Sequence, residues 1–191
     1  MNLANIIDGH DAGSIALISR NRATTYGELR DQVAAFRGGL AGLGVGDGDR
    51  VALIVGNSPH FVIAYLATIG LGAVAVPLNP ASPGPELQSE LAVVTPKVVV
   101  VDKLGATNIG HVDRDAVPSI ETLVSTEPAA GPDGATVAFD DLLSATPRDA
   151  VDLDGSHLAV LMFTSGTAGA PRAAMLTHAN LRANLDQSRS A

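Results

Sequence analysis

Between two apolar runs the chain reads LMFTSGTAGAPRAAMLTHANL, residues 161–181. Thr164, Ser165, Gly166, Thr167, Ala168 and Gly169 are too small to build a core. They do offer three hydroxyls and, because glycine tolerates positive φ, backbone N–H groups that can converge into an anion nest. Arg172 adds a permanent forked positive charge, and Pro171 stiffens the exit. These parts suit a ligand rich in phosphate oxygens. The spacing is not that of a P-loop, since Pro171 stands where the second glycine should be. Ser165 also lacks the glycine frame of a hydrolase nucleophile elbow. Residue chemistry alone leaves two accounts open, an oxyanion-binding loop and a plain surface turn.

Other polar residues carry weaker signals. His178 falls at a helix start behind Thr177 and reads as a local hydrogen bonder rather than a catalytic base. His10, His60, His111 and His157 show no metal-ligand spacing and are assigned no role, so no metal site is expected. Asp140-Asp141 reads as a solvated pair or helix-start charge, and Phe61 and Tyr65 as core residues. No catalytic residue is assigned.

Elements must position the loop, and composition limits them. The 191 residues are 46% hydrophobic but only 3% aromatic, so the core is built of Ala, Val, Leu and Ile. A chain of this size can bury on the order of 70% of its unfolded surface. Cysteine is absent, which excludes disulfides and thiolate chemistry and fits a cytoplasmic location. Residues 102–154 hold 11 carboxylates against three cations, a difference equal to the whole net charge of −8. No basic stripe is present to neutralise a nucleic-acid backbone, so nucleic-acid binding is excluded. Residues 51–85 carry no Asp, Glu, Lys or Arg. Gly70, Gly72 and Pro77 interrupt the stretch 61–78, which therefore reads as a buried helix and strand, not a transmembrane span.

Ile15–Ser19 is expected to be a strand ending at the turn RNRA. Thr25 and Glu28 form a capping box, and Leu29, Val33, Phe36, Leu40 and Leu43 give one helical face. Gly42, Gly44, Gly46 and Gly48 follow a helix, not a strand, and read as helix termination rather than a dinucleotide fingerprint. RVALIVG (50–56), a helix opened by Asn57-Ser58-Pro59, and AVAVPL (73–78) make a βαβ unit. A helix near Glu86–Val93 and the strand KVVVVD (97–102) make a second. Residues 108–157 are expected to be an irregular acidic excursion with one short helix-like patch around Phe139–Leu143, and HLAVLMF (157–163) a strand delivering the loop. The fold class is α/β, a largely parallel sheet with flanking helices.

In that setting, FTSGTAGAPRAAMLTHANL resembles the signature of the adenylate-forming superfamily: acyl-CoA synthetases, fatty acyl-AMP ligases, luciferases and peptide-synthetase adenylation domains. TTYGEL (24–29) and GVGDGDRVALIVGNSPHFVIAYLATIGLGAVAVPLNP (44–80) match in the family's order. The second stretch looks most like synthetases acting on fatty acids. The resemblance implies the large N-terminal domain of such an enzyme over residues 1–191. It implies ATP and Mg2+ as cofactors, a fatty acid or related carboxylate as substrate, and coenzyme A or an acyl carrier protein as acceptor. It places the ATP phosphates on Thr164, Ser165, Gly166, Thr167, Gly169 and Arg172. Ala168, Arg172 and Ala173 depart from a hydroxylated residue, a lysine and a glycine in the family pattern.

The family's later segments, including its mobile C-terminal domain with a catalytic lysine, do not occur in these residues. The expectation is an N-terminal portion that is inactive alone. Alternatives are a fatty acyl-AMP ligase and a non-catalytic nucleotide-binding or dimerising module. Homo-oligomerisation and peripheral membrane contact are left open.

Overall fold

The computed structural model describes residues 2–127, 136–163 and 171–190. After a short 3-10 turn at Leu3–Ile7, β1 (Ile15–Ser19) and β2 (Arg22–Thr25) form an antiparallel hairpin of their own. Its two turn residues, Arg20 and Asn21, both have positive φ (47° and 63°), as the twist of a two-residue hairpin demands. A non-glycine residue held there gives up about 1–2 kcal/mol. The capping box then opens α1 (Tyr26–Gly42): Thr25 Oγ1 accepts from the Glu28 N–H at 3.2 Å, and Glu28 Oε2 accepts from the Thr25 N–H at 2.8 Å. Those bonds hold the Glu28 carboxyl below its usual range. Leu29, Val33, Phe36 and Leu40 form the buried face. The helix stops beside Gly44, whose φ of 77° favours a residue without Cβ.

The main sheet is built from short β-branched runs. β3 (Arg50–Ile54) leads to α2 (Pro59–Gly70), β4 (Val74–Pro77), α3 (Gly84–Val94), β5 (Val98–Val101) and α4 (Lys103–Ile109). β6 (Thr122–Ser125), β7 (Thr136–Ala138), α5 (Phe139–Leu143), β8 (Leu158–Phe163), β9 (Ala173–Thr177) and α6 (His178–Ser190) complete the described elements. The strand order is β7-β6-β5-β3-β4-β8-β9, parallel throughout except for β9. Both faces are covered, which explains the unbroken apolar strands. Val51, Leu53, Val98 and Val100 face a core shared with α1 and α2, while Ala52, Ile54, Val99 and Val101 face one shared with α3. The α/β class with a largely parallel sheet and flanking helices therefore holds.

One feature differs from expectation. Residues 108–157 are not simply irregular. β6 extends β5 in parallel over four residue pairs, β7 extends β6, and Val117, Ile120, Leu123 and Val124 are buried. TLVS and TVA lack the continuous apolar run that marks the equally short β4 and β5, so neither stands out from the polar residues around it. α5 lays Phe139 on Phe36 (ring centroids 4.3 Å apart) and packs Leu142 against α1, and a Cβ on Gly39 would sit 2.7 Å from Leu142. Among the described residues of this segment, the long stretch without a helix or strand is 144–157. It is tied down where the Arg148 N–H donates to the Ala34 carbonyl and the Val151 N–H to that of Gly70. The expected Ile15–Ser19 strand is present; it stands outside the main sheet with Ile15 and Ile18 exposed. Residues 61–78 form most of α2 and then β4, and among the described residues no helix is long and apolar enough to cross a membrane.

Candidate functional site

The parallel strands place their carboxyl ends along one edge, and the chain order sets where that edge opens. β3 and β4 are neighbours, yet α2 after β3 packs into one core and α3 after β4 into the other. Loops diverging to opposite faces from adjacent strands leave a crevice, the usual ligand position in open α/β sheets. β8 lies beside β4 and carries the loop that begins at Thr164.

That loop is closed by antiparallel pairing. Phe163 sits opposite Ala173, Met162 opposite Ala174 and Leu161 opposite Met175. Phe163 and Ala173 pack against the α3-side core, which fixes both stems. Thr164, Ser165, Gly166, Thr167, Ala168 and Gly169 lie outside the described residues. Arg172 is described: it is exposed, one residue before β9, on the same edge as the loop stems.

The neighbouring turns are shaped by hydrogen bonds. Asp102 links two of them, its Oδ2 accepting from the Gly56 N–H at 2.8 Å and its Oδ1 from the Gly105 N–H at 2.8 Å. It therefore caps α4 and holds the chain leaving β3. Asn79 Oδ1 accepts from the Ala81 N–H, and Asn108 Nδ2 donates to the Pro80 carbonyl at 2.7 Å, which shapes the turn after β4. Ser58 caps α2, accepting from the Phe61 N–H. The expected Asn57-Ser58-Pro59 helix opening is thus present. The sequence places Asp102 only at the end of the strand 97–102; the signal that would have marked it as a cap is an aspartate directly before a helix. Asn79 makes a local Asx turn with Ala81, whereas Asn108 gave no signal, because its partner Pro80 is brought to it by tertiary approach.

The far end of β9 is clamped. Thr177 and Asn180 cap α6 reciprocally: Asn180 donates its N–H to Thr177 Oγ1 at 3.2 Å, and Asn180 Oδ1 accepts from the Thr177 N–H at 3.0 Å. His178 is 1% exposed, and its Nδ1 accepts from the Leu3 N–H at 3.0 Å. The expected local hydrogen bonder is in fact a long-range one, and burial lowers its pKa, with His157 adding to the effect. Asn2 completes the clamp, donating to the carbonyls of Gly70 and Val151. Phe61 and Tyr65 stack on each other, and burial pushes the Tyr65 hydroxyl up to about 12. Among the described residues no group of three or more His, Asp or Glu side chains is placed to hold a metal ion.

A mostly parallel seven-stranded sheet with flanking helices, with β8 and β9 paired at one edge, belongs to a definite class of fold: the N-terminal domain of adenylate-forming enzymes. The chain is a member of the AMP-binding enzyme family, whose pattern it matches over residues 7–190. It is 37% identical over 162 residues to a feruloyl-CoA synthase of Amycolatopsis sp, a match covering 85% of this chain and 30% of that one. It is 30% identical over 190 residues to the medium/long-chain-fatty-acid–CoA ligase FadD6 of Mycobacterium tuberculosis, covering 86% and 29%. The anthranilate CoA ligase AuaEII, solved in complex with anthranoyl-AMP, superposes with a TM-score of 0.85 at 25% identity, covering 93% of this chain and 35% of that one. The chain thus spans about 30% of the length of the curated relatives it matches. Relatives named for feruloyl-CoA and for fatty acids both match, so the narrower fatty-acid resemblance is not singled out.

Proposed function

We propose that this chain supplies the triphosphate grip of an enzyme that activates a carboxylic acid with ATP. In the first step a carboxylate oxygen attacks the α-phosphorus, the bond from that phosphorus to the bridging oxygen of the β-phosphate breaks, and pyrophosphate leaves an acyl-adenylate behind. In the second a thiol, that of coenzyme A or of an acyl carrier protein, attacks the acyl carbon and AMP departs. Thr164, Ser165, Gly166, Thr167 and Gly169 hold the β- and γ-phosphates through hydroxyls and backbone N–H groups, and Arg172 neutralises charge on the departing pyrophosphate. Positioning and fixed charge are what such a transfer asks of a protein. Mg2+ is the metal the family resemblance implies. The described residues assign it no protein ligand, and no step is routed through it.

One observation supports this reading: Phe163 pairs with Ala173, so the stems of the loop and Arg172 stand at the carboxyl edge of the sheet, beside β4. In this reading the 191 residues hold the phosphates but not the acyl pocket. The chain by itself then binds ATP without acid-dependent turnover. The fatty-acid expectation stands here as one substrate class beside aryl-substituted acids. Calorimetry with ATP, paired with ATP–pyrophosphate exchange over a panel of fatty and aromatic acids, tests both parts. Saturable ATP binding with no acid-dependent exchange supports the reading. No ATP binding removes the grip, and exchange at an enzyme-like rate places the acyl pocket within the chain.

A further inference from the structure

A cleft of mixed polar and apolar lining lies away from the loop stems. The β1–β2 hairpin, α1, α2 and α5 enclose a cleft of about 440 Å³, within the range of small-molecule sites. Its helices belong to the α1–α2 face, and α5 follows β7, at the opposite end of the strand order from β8 and β9. Arg20, Arg22 and Thr24 reach it from the hairpin, Gln32 from α1, His60 from α2 and Asp140 from α5.

The charge balance there runs against that of the molecule. In a chain of net charge −8, two arginines face one carboxylate in this cleft. Among the described residues neither arginine makes a salt bridge, and Arg22 acts only at longer range on Glu28. Arg20 occupies the first turn position of the hairpin with φ of 47°, where asparagine, aspartate or glycine would sit without strain. An arginine there is not explained by the turn it makes. His60 is oriented by its edge-on contact with Phe139, ring centroids 4.8 Å apart. The side chains present guanidinium forks, a hydroxyl, an amide and an imidazole, all donors suited to clustered anionic oxygens.

We propose that this cleft binds a small organic polyanion whose recognised chemistry is clustered phosphate or carboxylate oxygens. Arg20 and Arg22 grip the anionic oxygens. Gln32 and Thr24 bond the body of the ligand, and Asp140 accepts from a ligand hydroxyl or amine. The site is independent of the triphosphate grip and of the activation reaction. His60 reports on it. Burial lowers its pKa, Asp140 and Glu127 oppose that shift, and Arg20 and Arg22 line the same cleft. A bound anion favours the imidazolium and moves the His60 titration midpoint upward.

The test is NMR of histidine ring protons in the full chain, titrated with pyrophosphate and separately with citrate, with chloride at equal ionic strength as control. The expected result is a saturable His60 shift, a higher His60 midpoint, and binding at least about tenfold weaker in both Arg20→Gly and Arg22→Ala. Glycine at position 20 relieves the backbone, so the first variant keeps the fold. Tighter binding of pyrophosphate names a phosphate ligand, and tighter binding of citrate a carboxylate one. No saturable shift with either anion overturns the proposal. So do unchanged affinities in both hairpin variants, and so does binding lost in Arg172→Ala rather than in Arg20→Gly.

Discussion

The backbone N–H of Leu3 donates to Nδ1 of His178 at 3.0 Å, across 175 positions of sequence. Because Nδ1 is an acceptor, the neutral ring carries its proton on Nε2, which is buried with no partner among the described residues. Protonation would set a second donor against Leu3, in a place where burial and His157 already oppose positive charge. The pKa is lowered in the fold, so below the ordinary histidine value of about 6.5 the unfolded chain binds the extra proton first. The stabilisation is complete above that pH and is lost as pH falls toward the folded pKa. Urea midpoints of the wild type should decline from pH 7 downward, with a contribution from His178 no steeper than ~1.4 kcal/mol per pH unit. His60, shifted the same way, adds to the decline. His178→Asn, which keeps an acceptor but does not titrate in this range, should show a shallower decline. Parallel curves for the two proteins would remove His178 as the source.

Asp102 is the residue that joins the ends of β3 and β5. Asp102→Ala leaves the N–H groups of Gly56 and Gly105 without their acceptor. The expected loss is roughly 1–3 kcal/mol, read as a lower urea midpoint. Asp102→Asn, retaining one carbonyl oxygen, should recover part of it. An Ala variant as stable as wild type would show that water replaces both bonds at no cost.

Gly39 tests the packing of α5 on α1. A methyl group there meets Leu142 at 2.7 Å, closer than carbon atoms approach. Gly39→Ala should cost about 1–3 kcal/mol although alanine is the better helix former. Gly42→Ala, with open space around its Cβ position, should be neutral or slightly stabilising. A destabilised Gly42→Ala beside an unaffected Gly39→Ala would contradict the packing described.

What could be read in advance follows a physical division. The α1 capping box, the α2 cap at Ser58 and the continuous apolar strands β3 to β5 are written in neighbouring residues, and they were legible. So was the motif from β8 to α6, because its residue types are unusual for a core. β6 and β7 were not, since TLVS and TVA have no continuous apolar run of the kind that marks β5, and they take their place from pairing beside it. The Leu3–His178 bond and the Asn108–Pro80 bond could not be seen either: nothing local at one partner points to the other. Of the site, the residues could be listed but not placed. Only the pairing of Phe163 with Ala173 and the β3–β4 divergence show where the loop stems meet the sheet.

The most direct test of the triphosphate grip compares ATP with AMP, in the wild-type chain and in Arg172→Ala, by calorimetry. If the loop and Arg172 hold the β- and γ-phosphates, ATP binds more tightly than AMP. The substitution then weakens ATP by roughly 1.5–3 kcal/mol, about 10- to 150-fold in Kd, and leaves AMP unchanged. Equal affinities for ATP and AMP, or an Arg172→Ala chain that binds ATP as the wild type does, would contradict it.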